Sequence, residues 1–420
     1  MNIKIFPSKL SGELPAISSK SHIHRLLIAA ALSENSCEIY FNQSSNDIYA
    51  TKDCLMAMGA DIIEYKDKFL VNPIKKNKNN ILLPCKESGS TLRFLLPVIG
   101  ALGIAGDFKT EGNLAMRPLS PLKEELSQNG MSISQRCNII HTENMLNSGN
   151  FILPGNISSQ FVTGLLFALP LLSDDSKITI TSPMESKSYI GLTLSVLKAF
   201  GINIIKIENG FYIKGKQKYI APNKIYSEGD WSNSAFWLTM GGFSEKGIDC
   251  TGINSRSIQG DREILNILKS FGAKVEVYEN KITVKQNKLQ GIKINCCQTP
   301  DIAPEIAVLG ALAEGKTVVC GAQRLRIKEC DRIKAICLCL ENLGADITEK
   351  TDGFIINGRN TLRGGVVNSF NDHRIAMMCA VLSSKCENPV IIQNAEAVNK
   401  SYPNFFSDFI KLGGKIEKEG

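Results

Sequence analysis

Apolar stretches with helical periodicity alternate along the chain with strand-like runs, and the change from one to the other recurs at a fixed interval. Six of these stretches end in a glycine that is followed by alternating apolar and polar residues: Gly59, Gly130, Gly201, Gly272, Gly344 and Gly413. Their spacings are 71, 71, 71, 72 and 69 residues. Each segment predicts a helix that is closed by a left-handed glycine cap and followed by a strand. A fixed period indicates one copied structural unit, so the sequence predicts six α/β subdomains of about 70 residues.

A cluster of small polar residues opens another apolar, helix-like run about 40 residues before each glycine. The six clusters are SSKS (18–21), ESGST (87–91), SSQ (158–160), EGDWSNS (228–234), PD (300–301) and NDHR (371–374). Any one of them alone is an ordinary set of N-cap residues, because their side chains accept bonds from free N–H groups. Six in register predict six helix N-termini whose unpaired N–H groups and partial positive charge suit the binding of anions.

Length and composition predict a cytosolic protein of two or more domains. The 420 residues exceed what one core usually holds, and 43% of them are apolar. The longest apolar runs, near residues 94–106 and 161–172, are broken by Gly and Pro and fall short of the roughly 18 residues that suggest a membrane span. The start, MNIKIFPSKL, resembles neither a signal peptide nor a transit peptide. No membrane partner is expected.

The thirteen cysteines form no C-x-x-C pair and no Cys/His metal spacing, which favours reduced core residues. With only four histidines, no metal site is expected. The net charge of +7 is modest and spread along the chain, whereas a nucleic-acid-binding protein more often shows a basic stripe with interleaved aromatic residues. The basic run KKNKNN (75–80) is interpreted as a solvated loop.

Eight basic residues occupy equivalent places in the repeats. Four lie at or just inside the polar helix starts, and four lie just ahead of a glycine-terminated helix: Lys20, Arg25, Arg93 and Arg374, then Arg117, Lys328, Arg332 and Lys400. If the repeats point the same ends inward, these cations converge on one cleft. The expected ligand is strongly anionic and carries phosphate and carboxylate together.

These motifs occur in the order found in one enzyme family. The strings SKSHIHR, ESGSTLR, MRP, SSQF, SKSY, EGDWS, PDIA, RIKECDRI, NDHRIAM and KSYPNF span residues 18–406. The chain therefore resembles the 5-enolpyruvylshikimate-3-phosphate (EPSP) synthase family. The resemblance implies transfer of the enolpyruvyl group of phosphoenolpyruvate to the 5-hydroxyl of shikimate 3-phosphate, with release of phosphate and without metal or cofactor. It also implies a monomer.

The same resemblance implies an α/β fold, a two-domain inside-out α/β barrel with six βαβαββ-type repeats, three per domain. The repeats themselves show a break near residues 222–229, between the third and fourth units. The expected N-terminal domain is 18–227, and 1–17 joins 228–420 in the C-terminal domain. The chain would cross between domains near Pro15 and Ser227, as suits a hinge.

The resemblance assigns substrate contacts to particular residues. The shikimate 3-phosphate set is Lys20, Ser21, Arg25, Ser158, Ser159, Gln160, Ser186, Tyr189, Asp301 and Lys328. The phosphoenolpyruvate set is Lys20, Gly89, Arg117, Gln160, Arg332, Arg374 and Lys400. Hydroxyl groups at a helix start suit a phosphate and a polyol ring, and guanidinium groups bind carboxylate or phosphate through two bonds.

The reaction needs a proton for the methylene of phosphoenolpyruvate and a base for the attacking hydroxyl. Asp301 is the expected base, although an N-cap residue ahead of IAPEIAVLGALA would give the same pattern. Lys20 and Glu329 are both candidates for the methylene proton, and Glu329 could instead be a structural ion-pair partner. Lys328 is expected to support phosphate, while Asp372 and His373 orient Arg374 and its helix start.

Two positions depart from the family pattern. Many members have Asn where Glu87 stands, and an acid there would repel an anion unless it paired with Arg93. Arg324 stands where an Asn is often found, which puts a shikimate 3-phosphate contact there in question.

Two alternative functions share some of these features. The sister enolpyruvyl transferase that acts on UDP-N-acetylglucosamine typically has Lys-Asn in place of Lys20 and Ser21, and a cysteine in the loop that matches 106–118. This chain has no cysteine there. A ring-like clamp on nucleic acid would instead need basic residues spread over its inner helices.

Overall fold

The structure is a computed structural model that describes residues 1–75 and 80–419, so most of the basic run 75–80 lies outside the described residues. The chain forms two compact units. One, here called the split unit, consists of Met1–Ser19 and Glu228–Gly420. The other, here called the continuous unit, is Lys20–Ser227.

The chain begins with two strands of the split unit, β1 (Asn2–Phe6) and β2 (Gly12–Pro15). The continuous unit then contains α1 (Lys20–Ala31), β3 (Cys37–Tyr40), α2 (Asn46–Met58), β4 (Asp61–Glu64), β5 (Lys68–Asn72), β6 (Ile81–Lys86), α3 (Gly89–Ala101), β7 (Gly106–Thr110), α4 (Leu122–Gln128), β8 (Ser132–Arg136), β9 (Ile139–Glu143), β10 (Asn150–Leu153), α5 (Ser159–Ala168), β11 (Ser176–Ile180), α6 (Lys187–Ala199), β12 (Ile204–Ile207), β13 (Gly210–Ile213) and β14 (Lys224–Tyr226).

The remainder of the split unit contains α7 (Trp231–Gly241), β15 (Ile248–Thr251), α8 (Ile264–Phe271), β16 (Lys274–Val277), β17 (Lys281–Lys285), β18 (Lys293–Asn295), α9 (Ala303–Leu312), β19 (Lys316–Cys320), α10 (Arg332–Asn342), β20 (Asp346–Lys350), β21 (Gly353–Asn357), β22 (Gly365–Asn368), α11 (His373–Ser383), β23 (Val390–Gln393), α12 (Phe405–Lys411) and β24 (Lys415–Glu419). None of the helices among the described residues is long and apolar enough to cross a lipid bilayer.

The strands form six four-stranded mixed sheets, three in each unit. In the second repeat the order is β6-β7-β9-β8, with β6 parallel to β7 and the other pairs antiparallel. The other sheets follow the same plan: β10-β11-β13-β12, β14-β3-β5-β4, β16-β17-β15-β2, β18-β19-β21-β20 and β22-β23-β1-β24. The predicted βαβαββ repeat is confirmed.

Three of the six sheets are completed by a strand from a distant part of the chain. β14 lies parallel to β3, with Ile225 opposite Ile39, and so supplies the first strand of the first repeat. β2 lies parallel to β15, with Leu14 opposite Cys250. β1 lies between β23 and β24 and is antiparallel to both. β14 and β1 thus tie one end of a unit to its other end, and β2 ties the two stretches of the split unit together.

The first helix of each repeat is buried on nearly all faces, whereas the second is amphipathic. In α3 every residue except Ser90 is buried, including Arg93, and α9 and α11 are similar. The strands alternate between buried and accessible positions, as in the iBiBi pattern of β5. Apolar helices therefore form the interior of each unit and the sheets cover them, which is the predicted inside-out arrangement. The apolar core of each unit is continuous.

The six periodic glycines all have positive φ and each is followed by a strand, as predicted. Their φ values are 112°, 104°, 77°, 97°, 94° and 100° in chain order. At Gly59 the backbone N–H groups of the cap return to the carbonyls of Leu55 and Met56. A residue with a Cβ atom is strained in this conformation, which explains why glycine recurs at the period.

We expect Gly201→Ala and Gly191→Ala to have opposite effects on stability. Both glycines belong to α6 or its cap, and both have room for a methyl group: the nearest atom to an added Cβ is 3.7 Å away at Gly201, and none lies within 4 Å at Gly191. Only Gly201 has positive φ, so its replacement should lower the free energy of unfolding by about 1–2 kcal/mol. Gly191→Ala should raise it by about 0.5–1 kcal/mol through helix propensity. Urea titration of both variants measures the difference, and equal effects would contradict the strain argument.

Candidate active site

The six polar clusters all lie at helix starts, as predicted. Ser88 accepts a bond from the Thr91 N–H at 3.3 Å at the start of α3, and Asp230 accepts one from the Asn233 N–H at 2.8 Å at the start of α7. The fifth cluster differs, because a 3-10 segment, Pro300–Ile302, precedes α9 and the N-cap residue of α9 is Ile302. The alternative that Asp301 is the N-cap residue of α9 is therefore wrong.

Arg25 joins the first and last helices of the continuous unit. Its Nε donates to the Thr193 hydroxyl at 2.9 Å, and its Nη1 and Nη2 donate to the carbonyl oxygens of Ser21 at 2.6 Å and Tyr189 at 3.2 Å. The guanidinium also lies 5.0 Å from the centre of the Phe94 ring. Burial lowers the pKa of Arg25 to about 10, and it remains a cation at neutral pH. Ser21, Arg25 and Tyr189, all predicted site residues, are thus brought together.

Gln160 connects α3 to α5. Its Oε1 accepts a bond from Arg93 Nη1 at 2.9 Å, and its Nε2 donates to the Ser90 hydroxyl at 2.9 Å. The Ser158 hydroxyl accepts a bond from the Gln160 N–H at 3.3 Å, so Ser158 is the N-cap residue and Ser159 the first residue of α5. Two adjacent helix starts are therefore fixed to one another.

Lys20 and Ser186 begin the two helices on either side of Arg25. Lys20 is the first residue of α1, and its Nζ lies 2.9 Å from Asp47 Oδ2. Ser186 is buried at the N-cap position of α6 with a φ of 53°. A serine in this left-handed conformation is uncommon, and such strain is concentrated at binding sites.

Gly89, the first residue of α3, lies against two guanidinium groups. A Cβ atom built at Gly89 would lie 2.7 Å from Arg93 Nη1 and 2.8 Å from Arg117 Nη1. A side chain there would have to displace both guanidinium groups, and glycine also permits a close approach to the backbone N–H groups of the helix start. The Glu87 carboxylate lies beside Gly112, where an added Cβ would collide with it.

In the split unit, Asp301 lies in a dense ion-pair cluster. Its Oδ1 is 3.1 Å from Lys328 Nζ and 2.9 Å from Arg332 Nη1. Arg332 Nη2 is 2.6 Å from Glu329 Oε2, and its Nε is 2.6 Å from Asp372 Oδ2. The Arg332 side chain is only 2% exposed. Its buried positive charge is therefore surrounded by the carboxylates of Asp301, Glu329 and Asp372.

The electrostatic surroundings keep Asp301 ionised. Burial acts to raise the pKa of Asp301, but the charges of Lys328, Arg374 and Arg332 outweigh it and hold that pKa well below the usual range, against the opposing charge of Glu329. Its side chain is 15% exposed, so the carboxylate is accessible at one edge. It is a carboxylate that can accept a proton once the nearby positive charge is shared with other anions.

Asp372 caps a helix and also binds the Arg332 guanidinium. Its Oδ1 caps α11 by accepting the N–H of Arg374 at 2.9 Å, while its Oδ2 accepts the bond from Arg332 Nε. The Cys330 thiol also donates to Oδ2 at 3.7 Å. Asp372 therefore orients Arg332 as well as the helix start.

Arg374 lies among further carboxyl groups. Its Nη1 donates to the Asp301 carbonyl oxygen at 2.7 Å, and it lies 3.8 Å from Glu305 Oε1. Its Nη2 lies 3.7 Å from Asp261 Oδ2. Lys400 is buried at the end of the 3-10 segment Ala395–Lys400, ahead of α12.

Of the eight predicted cations, four belong to each unit. Lys20, Arg25, Arg93 and Arg117 are in the continuous unit, and Lys328, Arg332, Arg374 and Lys400 are in the split unit. The sequence predicts that Arg332 lies just ahead of its glycine-terminated helix. In the structure it is the first residue of that helix, α10. The convergence of all eight on one cleft stays a prediction.

Sequence reasoning missed three carboxyl groups: Asp47, Asp261 and Glu305. The period could have found two of them, since Asp47 and Asp261 stand 12 and 11 residues before Gly59 and Gly272, just as Arg332 stands 12 before Gly344. For Glu305 the only indication in the sequence was weaker: it is a lone acid in an apolar run, four residues after Asp301.

Arg324, the second departure from the family pattern, lies in the 3-10 segment Gln323–Ile327, and its Nη2 donates to the Cys297 carbonyl oxygen at 2.7 Å. Within residues 1–75 and 80–419 no group of three or more His, Cys, Asp or Glu side chains is arranged to hold a metal ion.

The chain matches known proteins over nearly its whole length. Residues 6–409 match the family model of EPSP synthase (3-phosphoshikimate 1-carboxyvinyltransferase). A 3-phosphoshikimate 1-carboxyvinyltransferase from Clostridium novyi is 43% identical over 99% of this chain and 98% of its own length. One from Clostridium perfringens is 44% identical over 99% of each chain.

Solved structures share the fold. An EPSP synthase from Acinetobacter baumannii has a TM-score of 0.81 at 23% identity, covering 99% of this chain and 100% of that one. The enolpyruvyl transferase NikO from Streptomyces tendae has a TM-score of 0.79 at 15% identity, covering 99% and 98%. The predicted fold class is confirmed.

We expect Asp372→Asn to destabilise the protein far more than Asp331→Asn. Both residues are N-cap residues, and asparagine caps helices about as well as aspartate. Asp331 is partly exposed and pairs with Arg326, whereas Asp372 is fully buried against Arg332. Removing its charge should lower the free energy of unfolding by about 2–3 kcal/mol, against less than about 1 kcal/mol for Asp331→Asn. Urea titration tests this, and similar losses in the two variants would show that the buried ion pair of Asp372 adds no more stability than the exposed pair of Asp331.

Proposed function

Because this chain belongs to the EPSP synthase (3-phosphoshikimate 1-carboxyvinyltransferase) family, we propose that the residues described above bind phosphoenolpyruvate and shikimate 3-phosphate and carry the transfer. The family activity is the enolpyruvyl transfer of the shikimate pathway, which leads to the aromatic amino acids. The match argues against the sister transferase acting on UDP-N-acetylglucosamine.

The reaction is an addition followed by an elimination. The 5-hydroxyl oxygen of shikimate 3-phosphate bonds to C2 of phosphoenolpyruvate, its proton passes to a base, and C3 takes up a proton to become a methyl group. The tetrahedral adduct then loses a proton from that methyl group, and the bond from C2 to the phosphate oxygen breaks. Phosphate leaves and the enolpyruvyl ether remains.

Asp301 is proposed as the base, and its contact with Lys328 and Arg332 is the observation that carries the assignment. A carboxylate with a strongly lowered pKa is a weak base. Anionic substrates that bind the same cations share their positive charge and thereby raise the affinity of Asp301 for a proton. The base would thus gain strength when both substrates are present.

Phosphoenolpyruvate is proposed to bind Arg332, Arg374 and Lys400 of the split unit and Lys20, Gly89, Arg117 and Gln160 of the continuous unit. The contact of Gly89 with two guanidinium groups supports this assignment, since the helix start adds N–H donors to two strong cations. Arg332 is already held by carboxylates and Arg374 by a carbonyl oxygen, so these guanidinium groups are pre-positioned and little ordering remains to be done on binding.

Shikimate 3-phosphate is proposed to bind residues of three helix starts, together with Asp301 and Lys328: Lys20, Ser21, Arg25, Ser158, Ser159, Gln160, Ser186 and Tyr189. The hydrogen bonds of Arg25 to the backbone of Ser21 and Tyr189 support this grouping. A phosphate at the start of α5 would meet hydroxyl donors and a positive helix end.

Lys20 and Glu329 are the proposed donors of the methylene proton. Lys20 is paired with Asp47, and Glu329 with Arg332. The second ion pair holds Glu329 next to Arg332, a proposed phosphoenolpyruvate contact, and Lys20 adjoins Ser21, a proposed shikimate 3-phosphate contact.

We expect Asp301→Asn to lower kcat by about 10²- to 10⁴-fold with little change in KM for phosphoenolpyruvate, because the proton acceptor is lost while the neighbouring cations remain. The measurement is phosphate released from phosphoenolpyruvate in the presence of shikimate 3-phosphate. UDP-N-acetylglucosamine in its place should release none.

Asp331→Asn is the matched control, since it makes the same chemical change at a partly exposed position of the same unit. Its kcat should stay within about twofold of the unmodified enzyme. Near-normal turnover in Asp301→Asn would remove Asp301 from the catalytic role.

Arg117→Ala should act on binding. Loss of a charge-assisted contact should raise the KM for phosphoenolpyruvate by about 10- to 100-fold with a smaller change in kcat. Arg136→Ala, at an exposed position at the end of β8, is the control and should leave KM unchanged. Equal KM values for Arg117→Ala and the control would contradict the assignment of Arg117.

A further inference from the structure

Glu305 is a buried acid that the proposed mechanism does not use. It lies in α9, whose other side chains are apolar, and its exposure is 0%. Neither carboxyl oxygen accepts a hydrogen bond from another residue among those that the structure describes. A fully buried carboxylate without hydrogen-bond donors is strongly disfavoured, so the state of this group needs a physical explanation.

The guanidinium of Arg374 faces two buried acids, Glu305 and Asp261. Arg374 Nη1 is 3.8 Å from Glu305 Oε1, and Nη2 is 3.7 Å from Asp261 Oδ2, both beyond hydrogen-bond distance. The short bond of Nη1 goes instead to the carbonyl oxygen of Asp301 at 2.7 Å. Arg374 is therefore held by a neutral acceptor and keeps its positive charge.

The charges of this cluster balance if one of the two acids is protonated. With both ionised, two buried negative charges would share one cation. Asp261 receives a hydrogen bond from the Ser232 hydroxyl, which stabilises its anion, whereas Glu305 receives none from any other described residue. The geometry thus favours Glu305 as the site of the proton.

The other groups packed around α9 do not change this assignment. Asp301, in the preceding 3-10 segment, carries a negative charge, and the thiol of Cys296 is buried nearby with a pKa raised by burial to about 12. Arg332 of α10 is already bonded to Asp372, Glu329 and Asp301. Besides Arg374, α11 contributes His373, whose Nδ1 lies 3.8 Å from Asp372 Oδ1, and α7 carries no charged side chain. β21 carries no charged side chain, and the charged residue of β19, Lys316, is exposed.

The electrostatic surroundings also favour the protonated form of Glu305. Burial raises the pKa of Glu305 to about 8; Arg374 and the backbone N–H of Glu305 itself oppose this rise, and Asp261 and Asp301 add to it. The group is protonated below that pH and ionises as the pH rises through about 8.

We propose that Glu305 is a positioning residue that stays neutral at physiological pH, leaving the charge of Arg374 available to phosphoenolpyruvate, and that its ionisation under alkaline conditions weakens substrate binding. This inference rests on the proposed role of Arg374 as a phosphoenolpyruvate contact. A negative charge on Glu305 would both attract the guanidinium toward α9 and oppose an incoming anion.

The first test is the pH dependence of kcat/KM for phosphoenolpyruvate at saturating shikimate 3-phosphate. Between pH 7 and pH 9 it should fall about tenfold in the unmodified enzyme, as for one ionisation near pH 8. The second ionisation of a phosphate ester lies near pH 6, so both substrates are fully charged across this window. In Glu305→Gln and in Glu305→Met the fall should disappear, because neither side chain can become an anion.

Asp408→Asn is the control. Asp408 is also a buried acid of the split unit, but it is bonded to Tyr402 and Lys411. This variant should keep the alkaline fall. Two variants at Glu305 are used because glutamine brings an unsatisfied amide into an apolar site and methionine does not.

The second test is direct. Infrared difference spectra between pH 7 and pH 9 should show the loss of a protonated carboxyl band in the unmodified enzyme and in Asp408→Asn, and no such band in either Glu305 variant. A band that persists in Glu305→Gln, or an unchanged alkaline fall in kcat/KM, would overturn the inference.

Arg374→Gln separates the inference from the function on which it rests. It should raise the KM for phosphoenolpyruvate at pH 7. If it does so while Glu305→Gln keeps the alkaline fall, the inference alone fails. If the KM is unchanged in Arg374→Gln, the proposed phosphoenolpyruvate contact fails and the inference fails with it.

Discussion

Burying the first helix of every repeat on nearly all its faces leaves the helix start as the place where its polar groups must be satisfied. The first four N–H groups of each helix have no partner within the helix and need other acceptors. Ser88, Ser158, Asp230 and Asp372 meet this need from within the chain. N–H donors at a helix start that remain without such a cap are suited to anions, so the constraint that builds the core also favours the proposed anion contacts.

The buried charge of Arg332 extends that constraint into the ionic cluster. A guanidinium that is 2% exposed is tolerated only when its surroundings supply acceptors, and three separate segments do so through Asp301, Glu329 and Asp372. Burial acts to lower the pKa of Arg332, but these carboxylates outweigh it and hold that pKa well above its usual value. Removing one partner leaves the others to compensate a charge that cannot reach water, so the cluster behaves as a unit.

Much of this architecture could be predicted from the sequence because it rests on local rules. Glycine at positive φ and small polar residues at helix starts are fixed by backbone sterics and hydrogen bonding, and a period of about 70 residues made both visible. The strands β2 and β14 have four and three residues, too few to show a periodicity, and their pairing is with distant segments. The protonation state of Glu305 could not be predicted from the sequence, since it depends on which side chains surround the carboxyl group in space.

Because some strands pair with distant segments of the chain, the two units are completed at different times during synthesis. All strands of the continuous unit, β3 to β14, have been made once residue 226 is added, so that unit can close while the ribosome is still working. β1 is made first, but its partners β23 and β24 are among the last segments of the chain. At about 5–20 residues per second, β1 waits on the order of 20–80 seconds for them. Until then Ile3 and Ile5 lack the strand partners beside which they are buried in the folded unit, and the charge of Lys4 between them disfavours wrong pairing. The split unit is thus the later and more vulnerable product of translation.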